Sequence, residues 1–364
     1  MFIREFPDYL RDNIQLITSE KAINLDIERK SVISGAETIV YDKLIVATGS
    51  IPTIPNIQGI DKKGVFTFKS LGDADGVCRW RGSTAVIIGS GLIGVEVALA
   101  LKRRGYQVFL IELLDRILPQ VFDEYPASLI KDALKDSGID VATQERVVEI
   151  LGKDRVEGVA SNKRRIKCDT VILATGMRPE KGLVKGILEL GKFGGIKVND
   201  KMRTSIEDVY ACGDCVEAQS LIDGQPILSL LWHNARQQGE VAGSNAAGIL
   251  RTYPGSLNVT GVEALGLKAV SIGSIGASLD KDLEVIEVRK TGRYRRLVLS
   301  NGVLVGVQSI NWDENLGLFL AAILRKEKVK THKDLISSGN PSFKSLRQFP
   351  LGRKLTLSCI RSLR

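Results

Sequence analysis

The chain has 364 residues, 44% of them hydrophobic and 26% charged, with 51 Lys/Arg against 42 Asp/Glu for a net charge of +9. That length holds two or three domains with proper cores, and the composition excludes disordered and collagen-like classes. Eleven Lys/Arg and two acids fall within residues 325–364, so this stretch carries all of the net charge; a basic balance of this origin argues against nucleic-acid binding.

The pattern predicts five segments in chain order. Residues 1–72 begin with a short helix at 4–11, then strand-like runs at 14–18, 22–26, 31–33 and 37–40, and an apolar strand at 44–47. A Pro-containing link, 52–59, leads to an apolar run at 65–71. Residues 73–190 read as an α/β unit, with a strand at 84–88, a helix to 104, a strand at 107–111, a helix at 125–137, and strands at 140–142, 146–150, 156–160 and from 170. Residues 191–250 hold short strands at 195–198 and near 210, then a helix at 231–247. Residues 251–330 alternate strand-like runs at 270–272, 283–288, 295–299 and 304–309, closed by an apolar helix at 316–324. Residues 331–364 form the basic tail, without periodicity.

The run from Thr84 to Leu101 is long enough for a membrane span. Its β-branched first third, three glycines and Glu96 fit a buried strand, turn and helix better, so no stable membrane insertion is expected. Nothing at the start has the charged, apolar and small-residue order of a secretory signal. Five cysteines without a framework suit a reducing, cytoplasmic setting.

The strongest chemical signal lies inside that run. Gly89-Ser90-Gly91-Leu92-Ile93-Gly94 follows a strand and opens a helix, and Glu112 ends the next strand 18 residues beyond Gly94. This is the order of a dinucleotide-binding βαβ unit, where the acid stands about 20 residues on. Gly89 permits the turn, Gly91 lets the backbone approach a pyrophosphate, and Gly94 lets the helix pack closely. The helix N-terminus offers free N–H groups to phosphate. Glu112 suits a ribose 2′-OH and repels a 2′-phosphate, while Arg116 and Lys102-Arg103-Arg104 offer charge that blurs the preference.

A repeat adds a second signal. Asp42 to Gly49 (DKLIVATG) and Asp169 to Gly176 (DTVILATG) each close a domain of one kind, one inserted in the other. Asp214, just past a strand and Gly213, suits a sugar or ribityl hydroxyl; alone it also fits a plain turn. Cys212-Gly213-Asp214-Cys215 has redox spacing, but Gly213 and Asp214 already have a role there and the structural reading is preferred. His233 and His332 are too few for a metal site or a triad, so no metal is expected.

The order ATG, GxGxxG, acid, ATG, YAxGD resembles the FAD- and NAD(P)-dependent pyridine nucleotide-disulphide oxidoreductase family, over about residues 14–323. The closer likeness is to the branch holding NADH oxidases, coenzyme A-disulphide reductases, rubredoxin and ferredoxin reductases, and nitrite reductase flavin parts. Tyr41 to Ser50, Gly91 to Glu96, Arg203-Thr204-Ser205, Val209 to Cys215 and Gly266 to Ala269 carry it. The resemblance implies an α/β fold in which a Rossmann-like NAD domain is inserted in an incomplete FAD domain, with a C-terminal α+β interface domain. It implies Gly89, Gly91, Gly94 and Glu112 as NAD contacts and Glu96 as the acid facing the nicotinamide. Ala47, Thr48, Gly49, Gly176, Gly213 and Asp214 are the matching cofactor contacts, and the helix beginning near Trp232 points at the flavin. The cofactors implied are FAD and NAD(H), the partner is a small-molecule or protein electron acceptor, and the assembly is a homodimer.

One departure accompanies this likeness. Relatives open with a strand–GxGxxG–helix for the FAD pyrophosphate, and no such motif precedes Ala47 here. The family's redox cysteine and flavin-side lysine fall in that same stretch. Two readings follow: a flavoprotein oxidoreductase, with a separate subunit supplying the FAD half-domain if needed, or an NAD-binding subunit or truncated relative without flavin.

Overall fold

The computed structural model describes residues 4–35, 37–275, 283–312 and 316–328, and the basic tail lies outside them. A short helix, α1 (Phe6–Arg11), comes first. Residues 14–18, expected as a strand, are irregular: no strand pairs with them, and Ile14, Leu16 and Ile17 stay exposed. A strand is defined by pairing across a ladder, and this exposed run leaves its backbone groups to water. β1 (Ala22–Asp26), β2 (Ser31–Ser34) and β3 (Thr38–Val40) make an antiparallel meander, followed by β4 (Leu44–Val46) and β5 (Ser50–Pro52).

After β6 (Val65–Thr67) comes a helix the pattern did not foresee, α2 (Leu71–Trp80). Gly72 and Gly76 dilute its helical signal. Its cap was legible, though: Ser70 Oγ accepts from the Asp73 N–H, and Asp73 accepts from the Ser70 N–H. β7 (Thr84–Ile88), α3 (Leu92–Arg103), β8 (Gln107–Ile111), α4 (Glu124–Asp136) and β9 (Asp140–Ala142) follow as expected within a residue or two. A small antiparallel sheet, β10 (Val147–Leu151), β11 (Gly158–Ser161) and β12 (Arg165–Lys167), precedes β13 (Thr170–Leu173). β12 was not expected; two of its three residues are basic, and it takes its state from pairing with β11.

β6-β13-β7-β8-β9 form one parallel sheet, in that order. Ala85, Val86 and Ile87 have no exposed surface, as a strand covered on both faces requires. Ala85 and Ile87 pack under Val95, Ala98, Ile130 and Leu134, on α3 and α4. Val86 and Ile88 pack against Ile150, Val159 and Ile166 of the small sheet. The result is a Rossmann-like three-layer body.

β14 (Met177–Pro179) returns the chain to the first body, with β15 (Ile196–Lys197), β16 (Val209–Ala211), β17 (Val216–Gln219), β18 (Pro226–Ile227) and α5 (Trp232–Ala246). There β16 pairs with β4 in parallel over a core of Val46, Val209, Tyr210, Ile196 and Val241. β19 (Val259–Ala264), β20 (Leu267–Gly273), β21 (Leu283–Lys290), β22 (Arg293–Ser300) and β23 (Val303–Ile310) then form an antiparallel sheet. One face packs on α6 (Leu316–Leu324) and the other, through Tyr294 and Ile310, on the three-layer body. The whole is α/β, with the parallel-sheet body inserted between two parts of another and an α+β unit at the end. No helix among the described residues is long and apolar enough to cross a membrane.

Only two strands carry the chain between the first two bodies. β5 and β14 run antiparallel, Ser50 opposite Pro179 and Pro52 opposite Met177. The hydrogen bonds beside them mirror each other. Thr48 Oγ1 donates to the Glu180 carbonyl (2.7 Å) and the Glu180 N–H to the Gly49 carbonyl (2.9 Å). Thr175 Oγ1 donates to the Thr53 carbonyl (2.7 Å) and the Thr53 N–H to the Gly176 carbonyl (2.9 Å). The two copies of the ATG repeat are thus the two ends of one junction. Replacing either threonine by valine should lower stability by about 1 kcal/mol in urea unfolding. The loss should be larger for the half-buried Thr175 than for the exposed Thr48; the reverse order would contradict this account.

Candidate nucleotide and flavin site

The three glycines after β7 have three different reasons to be glycine. Gly89 has φ +101°, and a Cβ there would lie 2.4 Å from the Ala174 carbonyl oxygen. A Cβ on Gly94 would lie 2.0 Å from the Gly89 carbonyl oxygen, so this position sets how closely α3 meets the sheet. A Cβ on Gly91 would meet nothing within 4 Å. Gly91 caps α3 without a side-chain hydrogen bond, and the first turn of that 12-residue helix carries no acid. An open cradle over an uncapped helix N-terminus fits a phosphate, whose charge the helix dipole favours.

Glu112 stands beside this loop and is nearly buried, at 7% exposure. Its Oε2 accepts from the Ser90 N–H (2.8 Å) and from Ser90 Oγ (2.7 Å), and its Oε1 accepts from the Leu114 N–H (2.9 Å). The nearby cations are engaged elsewhere. Arg116 pairs with Asp115 (3.0 Å) and donates from Nε to the Phe122 carbonyl. Lys102 donates to the Gly138 carbonyl, at the far end of α3.

Glu96 lies in the second turn of α3, and no hydrogen bond or ion pair engages it among the described residues. Partial desolvation raises its pKa above the usual value near 4.5. The side chain as a whole is exposed, so solvent screens part of this effect.

The other body presents a second set. Val46 leads into Ala47, Thr48 and Gly49, and Gly49 has φ +74°. Ser50, the first residue of β5, donates from Oγ to Asp214 Oδ2 (2.7 Å). Lys69, in the turn between β6 and α2, donates from Nζ to Ser50 Oγ (2.9 Å) and to Asp214 Oδ2 (3.3 Å). Asp214 Oδ1 accepts no hydrogen bond among the described residues. Gly213 (φ +81°) is fixed by its N–H on Gln238 Oε1 (2.8 Å), which ties the Asp214 turn to α5. Trp232 opens α5 and is 59% exposed, and no side chain caps that helix.

Sequence reasoning missed Lys69. It sought the flavin-side lysine only upstream of Ala47, and a lysine in a polar turn carries no pattern. The one available signal was its place beside the Ser70 cap, which holds the Lys69 N–H on Asp73. Gly176 (φ +97°) belongs to the inter-body junction, and a side chain there would meet nothing within 4 Å.

Cys212 and Cys215 are buried and unbridged. Burial pushes the Cys212 thiol up to about 11 and raises that of Cys215 as well. Both are therefore thiols at neutral pH, which fits the structural reading of this pair. His233 bonds the Leu257 carbonyl, and no metal-binding cluster occurs among the described residues.

The profile of the pyridine nucleotide-disulphide oxidoreductase family matches residues 5–239. The chain belongs to this family. It is 35% identical to an NADH oxidase of Methanocaldococcus jannaschii, over 91% of this chain and 76% of that protein. It is 38% identical to a CoA-dependent NAD(P)H sulfur oxidoreductase of Pyrococcus abyssi, over 66% of this chain and 54% of that one. Among solved structures, an NAD-dependent persulfide reductase from A. fulgidus superposes with a TM-score of 0.82 at 29% identity, over 90% of this chain and 66% of that one. The chain therefore spans about half to three quarters of the length of these relatives. The family is one of NAD(P)H-dependent oxidoreductases, and its members use FAD and NAD(H).

On the Gly89–Gly94 side, the open space at Gly91, the uncapped α3 N-terminus and the remaining acceptor position of Glu112 suit a dinucleotide. On the other side, Asp214 Oδ1 and the α5 N-terminus fit the ribityl and ring end of FAD. A second glycine-rich loop for its pyrophosphate is not among the described residues.

Gly91→Ala should leave the unfolding midpoint nearly unchanged and weaken NADH binding in a titration, because only the ligand's space is filled. Gly94→Ala should lose stability, because its Cβ meets backbone. Equal behaviour of the two variants would refute that division. Glu96 adds a pH dependence. Its raised pKa contributes stability below about 4.5, and that contribution is lost as pH rises through the folded-state value. Glu96→Gln should therefore gain thermal stability over the wild type as pH rises above about 4.5; a constant difference would sink this reading.

Proposed function

We propose that this chain is an FAD-dependent NAD(P)H oxidoreductase, accepting hydride from NADH and passing electrons to a disulphide, oxygen or an electron-carrier protein. The observation that carries the reading is the pairing of an open Gly91 cradle with an anchored Glu112. The α3 N-terminus and Gly91 would receive the pyrophosphate, and Glu112 Oε1 the adenosine ribose hydroxyl. Glu96, on the second turn of the same helix, would lie beside the nicotinamide. Bound FAD would supply the electron store between donor and acceptor. Asp214 would accept a ribityl hydroxyl on Oδ1, while Ser50 and Lys69 hold Oδ2. Ala47, Thr48, Gly49 and Gly176 would line the junction between the two ligands, and Gly213 and Trp232 the flavin edge. Domain limits at 72, 190, 250 and 330, a homodimer through residues 251–330 and a cytoplasmic location belong to the same reading.

A second reading has its own observation. β4 pairs with β16 on one side only, and a two-stranded parallel sheet is unusual. Ile45 on that edge strand is 37% exposed, and Ile23, Ile39 and Val40 of the meander are exposed as well. This favours a further strand–helix unit docking there, contributed by a separate subunit, with the chain acting as the NAD-binding part.

The visible spectrum of the purified chain, before and after anaerobic NADH, separates the two. A flavin band that bleaches supports the oxidoreductase. A colourless protein that still binds NADH overturns it in favour of the binding subunit.

A further inference from the structure

We infer that Gln238 and Tyr253 are positioning residues for the flavin, holding the Gly213-Asp214 turn from the segment that leads into the C-terminal sheet. This rests on the proposed flavin site and deepens it. The buried face of α5 carries three carboxamides, Asn234, Gln238 and Asn245. Residues 251–257 run back along this face and are strapped to it at both ends. Asn245 accepts the Arg251 N–H on Oδ1 (3.0 Å) and donates from Nδ2 to the Arg251 carbonyl (2.8 Å). Asn234 does the same for Leu257, accepting its N–H (3.3 Å) and donating to its carbonyl (3.1 Å). Each side-chain amide thus pairs with the backbone of one residue, as a neighbouring strand would. Just beyond the second clamp, Val259 opens β19.

Tyr253 lies between the two clamps. Its N–H donates to the Asp200 carbonyl (2.7 Å), and its hydroxyl meets Ser256 Oγ (3.0 Å) and Asn234 Oδ1 (3.4 Å). Burial raises the phenol above its usual pKa near 10, so the group keeps its proton. Gln238 Nε2 donates to this hydroxyl (3.4 Å), which leaves Oε1 to accept the Gly213 N–H (2.8 Å). The next residue is Asp214, whose Oδ1 is the acceptor kept for the flavin. Buried polar groups gain little over hydrocarbon of the same shape; joined and satisfied, they fix one arrangement. No buried side-chain atom of this network lacks a partner. Ser50 and Lys69 hold the Asp214 carboxylate itself, while Gln238 and Tyr253 hold the backbone beneath it.

Neither residue is placed against the flavin, so their effect on FAD runs through Asp214. Gln238→Leu should weaken FAD binding about tenfold and Tyr253→Phe about threefold. In an Asp214→Ala background both effects should vanish, because no carboxylate is left to aim. NADH binding at Gly89–Gly94 should be the same in every variant. In the flavin-free chain, Tyr253→Phe should also speed hydrogen exchange at the Gly213 amide about tenfold, with the amides of β7 unchanged. A residue that only supports the fold would weaken FAD equally with and without Asp214.

The test titrates FAD into the flavin-free full chain and these single and double variants, following the quenching of flavin fluorescence, with a thermal melt and amide exchange on each. Tyr253→Phe, which removes one oxygen, carries the test alone if Gln238→Leu does not fold. Losses that disappear in the Asp214→Ala background, with faster exchange at Gly213, support the inference. Equal losses in both backgrounds, or unchanged exchange at Gly213, overturn it and leave the flavin site standing. A wild type that binds no FAD overturns the flavin reading and this inference together.

Discussion

The antiparallel pair β5–β14 is the constraint on which the arrangement depends. Both covalent crossings between the parallel-sheet body and the body built on β4 and β16 run through this pair. Two short strands would ordinarily bend like a hinge. The mirrored bonds of Thr48, Glu180, Thr175 and Thr53 stiffen them, because each end of the ladder is closed by a hydroxyl and an amide from the opposite strand. The ATG repeat therefore has a mechanical meaning. Glycine at the third position takes the positive φ that turns the chain out of its parallel strand, and threonine at the second locks the strand that follows.

From that junction the polar groups of the site are arranged by commitment rather than by number. Asp214 gives one oxygen to Ser50 and Lys69 and keeps the other free. Glu112 gives both oxygens to backbone and serine donors and keeps one acceptor position. Arg116 engages Asp115 through Nη1 and the Phe122 carbonyl through Nε. A carboxylate with partly satisfied oxygens is oriented without being saturated, which is what recognition of a hydroxyl demands. Lys69 adds a link between bodies, since it rises from the β6–α2 turn of the parallel-sheet body and reaches an aspartate of the other.

The cysteines follow the opposite logic. Cys212 and Cys215 sit under β4, and Cys215 Sγ approaches the Val46 and Cys212 carbonyls. Burial raises both thiols, which keeps them protonated at neutral pH. The two buried cysteines flank the tight Gly213-Asp214 turn.

The sequence by itself determined the parallel-sheet body and its nucleotide loop. The β7–α3–β8 unit, Glu112 and the three glycines rest on local rules of period, turn and spacing, which act within about thirty residues. The helix α2 was only half legible, since its Ser70–Asp73 cap was present while two glycines hid its periodicity. Residues 14–18 failed as a strand and β12 appeared as one for a single reason: strands depend on partners distant in sequence. Only the tertiary structure decided that Lys69 meets Asp214 across 145 positions, that Thr48 meets Glu180 across 132, and that Ser90 spends its donors on Glu112. The first two pairings are set by how whole bodies pack, and the third by side-chain placement within one βαβ unit, so none leaves a pattern of period or spacing to read.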